Sequence, residues 1–255
     1  MWNRNLRLAI IFFCILLFIV VEYYQKAACH SVEWLQKAAE QGNSRAQWEL
    51  GGIYATGHGV AKDDRMAVEL WQRAAEQGFA AAQSNLGAMY EAGRGVTQDE
   101  RKAVELYQKA AEQGLPVAQY NLSVMYEKGR GVAQDERKAV EWSQKAADQG
   151  YAAAQTLLGW MYAEGRGVAQ DERKGMEWLQ KAANQGDAKA QTLLGAIYAD
   201  GRGVPQDKRK ALEWFQKAAD QGYQSAKNAL NRLQNETAPT ARNPGWDKTK
   251  WNPSL

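Results

Sequence analysis

The sequence predicts an all-α protein, an α/α superhelical solenoid of about five helix-turn-helix repeats. Three observations predict this fold. A Gln-Gly pair recurs every 36 residues without an insertion, with its glycine at Gly42, Gly78, Gly114, Gly150, Gly186 and Gly222. A Gly-x-Gly-Val series runs in step with it, and the apolar residues between the glycines have the spacing of one helix face. Strict repetition at this period is the sequence signature of a solenoid.

The first element is an apolar segment near the N-terminus. Arg4 and Arg7 precede an unbroken apolar run from Leu8 to Val21. The run is shorter than the roughly 20 residues that span a bilayer and matches the apolar region of a signal peptide, although flanking apolar residues could lengthen it. We expect residues 1–24 to be a single-pass signal anchor. The arginines favour a cytoplasmic N-terminus, with the repeats on the non-cytoplasmic side, which is the periplasm in a bacterium. Signal cleavage and secretion are the alternative.

The solenoid itself is expected to cover residues 31–234. Its five full repeats are predicted at residues 43–78, 79–114, 115–150, 151–186 and 187–222. A single helix from Val32 to Gln41 precedes them, and a single helix from Gln224 to Leu233 follows. Such half-repeats cap the two apolar ends of a repeat array.

The third repeat shows how each unit folds. Its first helix, helix A, is predicted to begin near Pro116. Proline has no amide hydrogen, and this costs no hydrogen bond in the first turn, because the amide of a first-turn residue has no partner within the helix. One apolar stripe follows at helical spacing: Ala118, Leu122, Met125 and Tyr126. The loop at Gly129 and Gly131 then ends the helix, since glycine reaches left-handed backbone angles at little cost.

The second helix of the repeat, helix B, is predicted to start at Asp135, whose carboxylate can accept from the free amides of a helix N-terminus. Glu136 adds favourable negative charge in the first turn, and Lys145 adds positive charge near the end. Gly150 supplies the left-handed cap. The buried stripe of this helix is expected to be Ala139, Trp142 and Ala146.

These repeats resemble the Sel-1-like repeat, a relative of the tetratricopeptide repeat. Residues 154–186 carry the motif: Ala154-Gln155, Leu158-Gly159, Tyr162, Gly165-Arg166-Gly167-Val168, Asp171, Lys174, Trp178, Lys181-Ala182-Ala183 and Gly186. The resemblance implies an α/α superhelix that acts as an adaptor or scaffold, with other proteins or peptides as partners. A cysteine-rich branch of the family has carried a β-lactamase label. Cys14 and Cys29 are the only cysteines in this chain, which argues against that branch.

Several classes of function find no support in the sequence. The net charge is only +3 and the charges alternate along the chain, so there is no basic stripe for nucleic acid. The Gly-x-Gly loops lack the Gly-Lys-Ser/Thr ending of a phosphate-binding loop. His30 and His58 stand apart from other metal-ligating or catalytic residue types. We therefore predict a non-enzymatic scaffold with no cofactor, no metal, no catalytic residue and no small-molecule substrate; an envelope enzyme, or the accessory subunit of one, is the alternative.

Most of the ten tryptophans are expected to be structural. One position of helix B carries Trp34, Trp142, Trp178 and Trp214, so these rings are predicted to pack between repeats. Three aromatic residues depart from the repeat pattern instead. Trp48 and Tyr120 occupy a helix A position that is otherwise Ser84, Thr156 and Thr192. Trp160 occupies one that is otherwise Gly52, Ala88, Val124 and Ala196.

We expect Trp48, Tyr120 and Trp160 to be exposed on the helix A face and to bind a partner protein, because exposed aromatic anchors dominate many interfaces. Packing against a neighbouring helix is the alternative. The polar tail, residues 235–255, is predicted to be disordered because it has no periodicity. Its two tryptophans, Trp246 and Trp251, could form a short docking motif.

Overall fold

The computed structural model describes residues 32–237, and every regular element within that range is an α-helix. Residues 32–40 form α1. Five hairpins follow, each a helix A and a helix B: α2 (Ser44–Thr56) and α3 (Asp64–Glu76), α4 (Ala80–Ala92) and α5 (Glu100–Glu112), α6 (Pro116–Lys128) and α7 (Glu136–Asp148), α8 (Ala152–Glu164) and α9 (Glu172–Asn184), α10 (Ala188–Asp200) and α11 (Lys208–Asp220). The last helix is α12 (Gln224–Thr237). The predicted all-α helix-turn-helix repeats are confirmed.

The described residues form two compact units. The first unit contains α1 to α7 and ends at Tyr151, and the second unit begins at Ala152 with α8. The last helix continues to Thr237, four residues beyond the predicted end at Leu233. The apolar run at residues 8–21, both cysteines, and Trp246 and Trp251 lie outside the described residues. No helix within residues 32–237 has the length and apolar character to cross a membrane.

The ends of the helices follow from local sequence. Asp135 accepts a hydrogen bond from the Lys138 amide at the start of α7, and aspartates start the other four helices B in the same way. Pro116 lies in the first turn of α6, and Gly129 ends this helix with a φ of 65°. The predicted caps of the third repeat are therefore confirmed, including Gly150 with its φ of 85°.

Gly131 is needed for two reasons. Its φ is 65°, in the left-handed region. A Cβ at this position would also collide with the backbone carbonyl of Glu100 in the preceding repeat. The loop of one repeat can therefore pack directly on the first turn of the helix B before it.

In four of the five hairpins the core pairs a glycine of helix A with a large residue of helix B. In the second repeat a Cβ built on Gly87 would lie 2.8 Å from the Tyr107 ring, so only glycine lets the two helices approach this closely. The third repeat differs, because Ser123 faces Ser143 with both side chains fully buried. The predicted helix A stripe from Ala118 to Tyr126 is buried, as expected.

Buried glutamines connect consecutive repeats. The side-chain amide of Gln119 donates to the Ala111 carbonyl at the end of the preceding helix B, over 3.1 Å. Its oxygen accepts from Gln149 over 2.8 Å at the end of its own helix B. One side chain thus joins the ends of two successive helices B. Equivalent bonds to the preceding helix are made by Gln47, Gln83 and Gln191.

The loop arginines pair with carboxylates of the preceding repeat. Arg94 binds Asp64 at 2.7 Å, and this hydrogen bond holds the pKa of the Asp64 carboxyl below its ordinary value. Arg130 binds both Glu100, at 2.6 Å, and Glu91, at 2.8 Å. The buried Tyr107 hydroxyl donates to Glu91 as well, at 2.7 Å, and burial raises the pKa of that phenol.

Candidate protein-binding surface

The first candidate residue, Trp48, lies on α2 and is half-buried, not exposed as the sequence analysis expected. Its ring packs against Phe79, with 5.8 Å between ring centroids and 52° between planes. Phe79 is the residue that precedes α4, the next helix A. The indole nitrogen of Trp48 is buried and has no hydrogen-bond partner among the described residues. An unpaired buried donor is unfavourable.

The second candidate, Tyr120, repeats this arrangement on α6. Its ring lies 5.5 Å from that of Tyr151, again 31 residues later in the chain, with 54° between planes. Tyr120 is half-buried too. In the second unit the same position forms a polar pair, because the Thr156 hydroxyl donates to the Asp187 carboxylate over 3.0 Å. In these three repeats the residue at this helix A position matches in character the residue that precedes the next helix A, aromatic with aromatic and polar with polar.

The third candidate, Trp160, is half-buried on α8 of the second unit. The Arg166 guanidinium lies over its ring, 4.7 Å from the centroid, a distance typical of a cation–π contact. Leu157 stands three residues earlier on the same helix face and is half-buried as well. Together the two side chains expose apolar surface on helix A.

The sequence analysis missed the leucines of this surface. The position of Leu157 is also a half-buried leucine, Leu193, in the next repeat, whereas the first unit carries Glu49, Asn85 and Asn121 there. The signal was present as a change from polar to apolar residues at one repeat position. The helix A faces of the two units therefore differ in chemistry: one is polar at this position and the other is apolar.

The prediction for the helix B tryptophans was partly wrong. Trp178 is buried, as expected, but Trp34 is 67% exposed, and Trp142 and Trp214 are only half-buried. The largest fully buried side chain of α7 is Ser143, the residue after Trp142, while Ala139 and Ala146 are buried as predicted. This position faces helix A most closely in the described repeats and carries Trp71, Tyr107, Leu179 and Phe215 in the others.

Lysines cover the rings at the tryptophan position. Lys145, Lys181 and Lys217 lie 4.0, 3.9 and 4.2 Å from the ring centroids of Trp142, Trp178 and Trp214. Each lysine follows its tryptophan by three residues, so the two side chains are neighbours on the helix surface. These three tryptophan rings are therefore packed against the protein on one side and covered by a lysine ammonium on the other.

Within residues 32–237, His, Cys, Asp and Glu side chains do not come together in threes at a spacing that could hold an ion. His58 is exposed in the loop of the first repeat, and His30 lies outside the described residues. The charged clusters of the first unit are the loop ion pairs described above.

Comparison with known protein families gives one match. The family model described as the Sel1 repeat matches residues 21–32, 30–43, 44–79, 80–115, 116–151, 152–187 and 188–223. No curated protein matches the sequence.

Solved structures show the same fold. A protective antigen present in uropathogenic Escherichia coli strains is 38% identical, with a TM-score of 0.71, over 81% of this chain and 44% of that one. A Sel1 repeat protein from Oxalobacter formigenes is 43% identical, with a TM-score of 0.70, over 80% of this chain and 59% of that one. An immunity protein from Pseudomonas aeruginosa is 27% identical, with a TM-score of 0.54, over 77% and 72%. The match thus spans less than two thirds of the first two proteins.

Proposed function

The chain belongs to the Sel1 repeat family, and we propose that it is a non-enzymatic scaffold that binds other proteins or peptides through the helix A faces of its repeats. Proteins with this repeat generally act as protein-interaction scaffolds. A solenoid suits this role because its fold repeats while its surface residues vary from one repeat to the next.

The observation that carries the proposal is the apolar surface of α8. Trp160 and Leu157 lie on one face and are both partly exposed. Large apolar side chains that share a face and remain in contact with water are typical of interaction sites. An aromatic side chain at the centre of such a site can contribute about 2 kcal/mol or more to binding. Trp48 and Tyr120 are the corresponding candidates in the first unit, where each ring is half-buried against the next repeat.

We also propose that the scaffold is tethered to a membrane through the apolar run from Leu8 to Val21, with the repeats on the non-cytoplasmic side. The support is the sequence pattern of Arg4 and Arg7 before that run. A partner would then be an envelope or extracellular protein. Secretion after cleavage would leave the same surface available for binding.

The test is affinity capture from the native envelope with variants of the helix A face. Trp160→Ala, Trp48→Ala and Tyr120→Ser should each capture less partner. Trp160→Ala should keep a melting temperature close to that of the unaltered protein, because its ring is partly exposed. Trp178→Ala is the matched control on helix B: its ring is buried, so it should melt earlier.

Trp48 needs a further control because its ring has a structural contact. Phe79→Ala removes the packing partner of Trp48 and leaves the indole in place. If Phe79→Ala captures partner normally and Trp48→Ala does not, the indole itself binds. Normal capture by all three helix A variants would refute the assignment of this face.

A further inference from the structure

The first unit has two equivalent recesses on its helix B side. Recess 1 has a volume of about 200 Å³ and lies between α1 and α3, over α2; its lining includes Leu50, Tyr54, Met66, Leu70 and Arg73. Recess 2 has a volume of about 160 Å³ and lies between α3 and α5, over α4; its lining includes Leu86, Tyr90, Lys102, Leu106 and Lys109. Each residue named for recess 2 follows its counterpart in recess 1 by one 36-residue repeat.

A leucine stands in each recess where later repeats have a tryptophan. Leu70 and Leu106 occupy the helix B position that is Trp142, Trp178 and Trp214 in the last three repeats. The side chain at this position packs in the same way in both units. Leu106 packs against the core cluster formed by α3 and α4, and Trp214 packs against the corresponding cluster formed by α9 and α10. The recesses thus occur where a smaller side chain takes the place of an indole.

The protein itself shows what such a position accepts. Trp142, in the same unit as the recesses, lies beneath Lys145, with 4.0 Å between the ammonium and the ring centroid. Lys109 and Arg73 are the residues that correspond to Lys145, and they line recess 2 and recess 1. Each recess therefore has leucine side chains in its lining and a cation in place to cover an aromatic ring, with glutamates and glutamines among the other lining residues.

The rim of recess 1 adds a second observation. Met66 is 37% exposed, one of the few large hydrophobic side chains to be so in the described residues. The corresponding residues in the other four repeats are lysines: Lys102, Lys138, Lys174 and Lys210. An exposed methionine beside an apolar recess is suited to contact with an aromatic ring, through its polarizable sulfur.

We propose that the two recesses bind aromatic side chains, tryptophan above all, of a partner polypeptide, and that each bound ring takes the place of the indole that Leu70 and Leu106 omit. The proposal rests on the scaffold function only in that the ligand is another protein. Its site lies between successive helices B and over a helix A, and Trp48, Tyr120 and Trp160 are not part of its lining. A volume of about 160 Å³ is sufficient for one aromatic side chain.

The experiment counts sites with a defined probe, the peptide acetyl-Gly-Trp-Gly-amide carrying 5-fluorotryptophan. Its bound fraction is measured by ¹⁹F NMR with the full chain in lipid nanodiscs, against empty nanodiscs as the blank. The unaltered protein should bind the probe at two sites, one in each recess. Leu106→Trp should bind about half as much probe, and Leu70→Trp combined with Leu106→Trp should bind none, because the new indoles fill the recesses.

Trp142→Leu is the gain-of-site counterpart. It should create a third recess and raise the bound fraction by about half at low occupancy. All variants carry a residue that the same position already holds in another repeat, so each should fold, and melting curves check this. Full probe binding by the double variant would overturn the proposal, as would no added binding by Trp142→Leu. The probe requires no native partner, so a failure here is distinct from normal partner capture by the helix A variants.

Discussion

The hydroxyl of Ser143 donates a hydrogen bond to the hydroxyl of Ser123 over 2.9 Å, between the two helices of the third repeat. Ser123 in turn donates to the Tyr120 carbonyl over 2.8 Å. Both side chains are fully buried. At the same contact the other four repeats have a glycine on helix A opposite a large residue on helix B, as Gly87 is opposite Tyr107. The third repeat thus replaces a small-large pair by two small polar residues.

This relationship predicts strong coupling between the two positions. Ser143→Tyr alone should destabilise the protein by about 1–3 kcal/mol, because the Cβ of Ser123 would meet the new ring. Ser123→Gly combined with Ser143→Tyr should recover most of that loss, since it recreates the Gly87 and Tyr107 pair. Urea denaturation of both single variants and the double variant gives the coupling energy, which should exceed about 1 kcal/mol. Additive effects would contradict this account.

Substitutions at Gly131 and Gly150 can separate the stability cost of backbone strain from that of a steric collision. Both have positive φ, but a Cβ at Gly150 meets nothing within 4 Å, whereas one at Gly131 collides with the Glu100 carbonyl. Gly150→Ala should therefore cost about 1 kcal/mol from strain alone. Gly131→Ala should cost at least about 1 kcal/mol more. The measurement is the free energy of unfolding in urea, and equal losses at the two sites would show that the loop moves away.

The Arg94 and Asp64 pair predicts a defined pH dependence. The hydrogen bond from Arg94 is the main cause that lowers the pKa of Asp64 from its ordinary value of 3.8. A lowered folded-state pKa adds stability that is present above the unfolded value and is lost as pH falls through the folded value. NMR titration of the carboxyl should show the pKa rising towards 3.8 in Arg94→Ala. The stability at stake is less than about 1 kcal/mol, because the pair is partly exposed.

Topology can be tested separately from binding. If the run from Leu8 to Val21 is an anchor, protease added outside intact cells or spheroplasts should digest the repeats. The mass of the N-terminal peptide then distinguishes an anchor from a cleaved signal, since only the anchor keeps Leu8 to Val21. Complete protection of the repeats would contradict the proposed orientation.

The fold was predictable because its determinants are local and repeated. Asp135, Pro116 and Gly129 each act within a few residues of their own position, so their roles could be assigned from the sequence. Of the three residues predicted to be buried on α7, Ala139 and Ala146 are buried, and only the large residue was misassigned by one position. Trp142 and Ser143 lie next to each other on the helix, and hydrophobicity favoured the tryptophan. Ser143 is the buried residue because helix A approaches closely at this point. That approach depends on how the two helices pack together and cannot be read from one helix alone.

The candidate surface was less predictable, because its contacts join residues 31 positions apart. The sequence marked Trp48 and Tyr120 as exceptions but did not show that Phe79 and Tyr151 cover them. A comparison of both positions across the repeats would have suggested the pairing, since both aromatic residues on helix A have an aromatic residue 31 positions later. Each recess is lined by residues of three helices, so neither could be inferred from the pattern of a single helix.

The loop arginines have a consequence for how such a chain can change in length. Arg94 and Arg130 each reach a carboxylate 30 residues earlier, and Gln119 makes its bonds across the same boundary. A segment of 36 residues therefore contains one half of the contact to its predecessor and the other half of the contact to its successor. Loss of one internal segment within the gene, such as residues 79–114, would bring Arg130 to the carboxylate of Asp64, so an arginine–carboxylate pair would form again at the new junction. At such a junction the number of repeats can change without a compensating substitution in the loop ion pair.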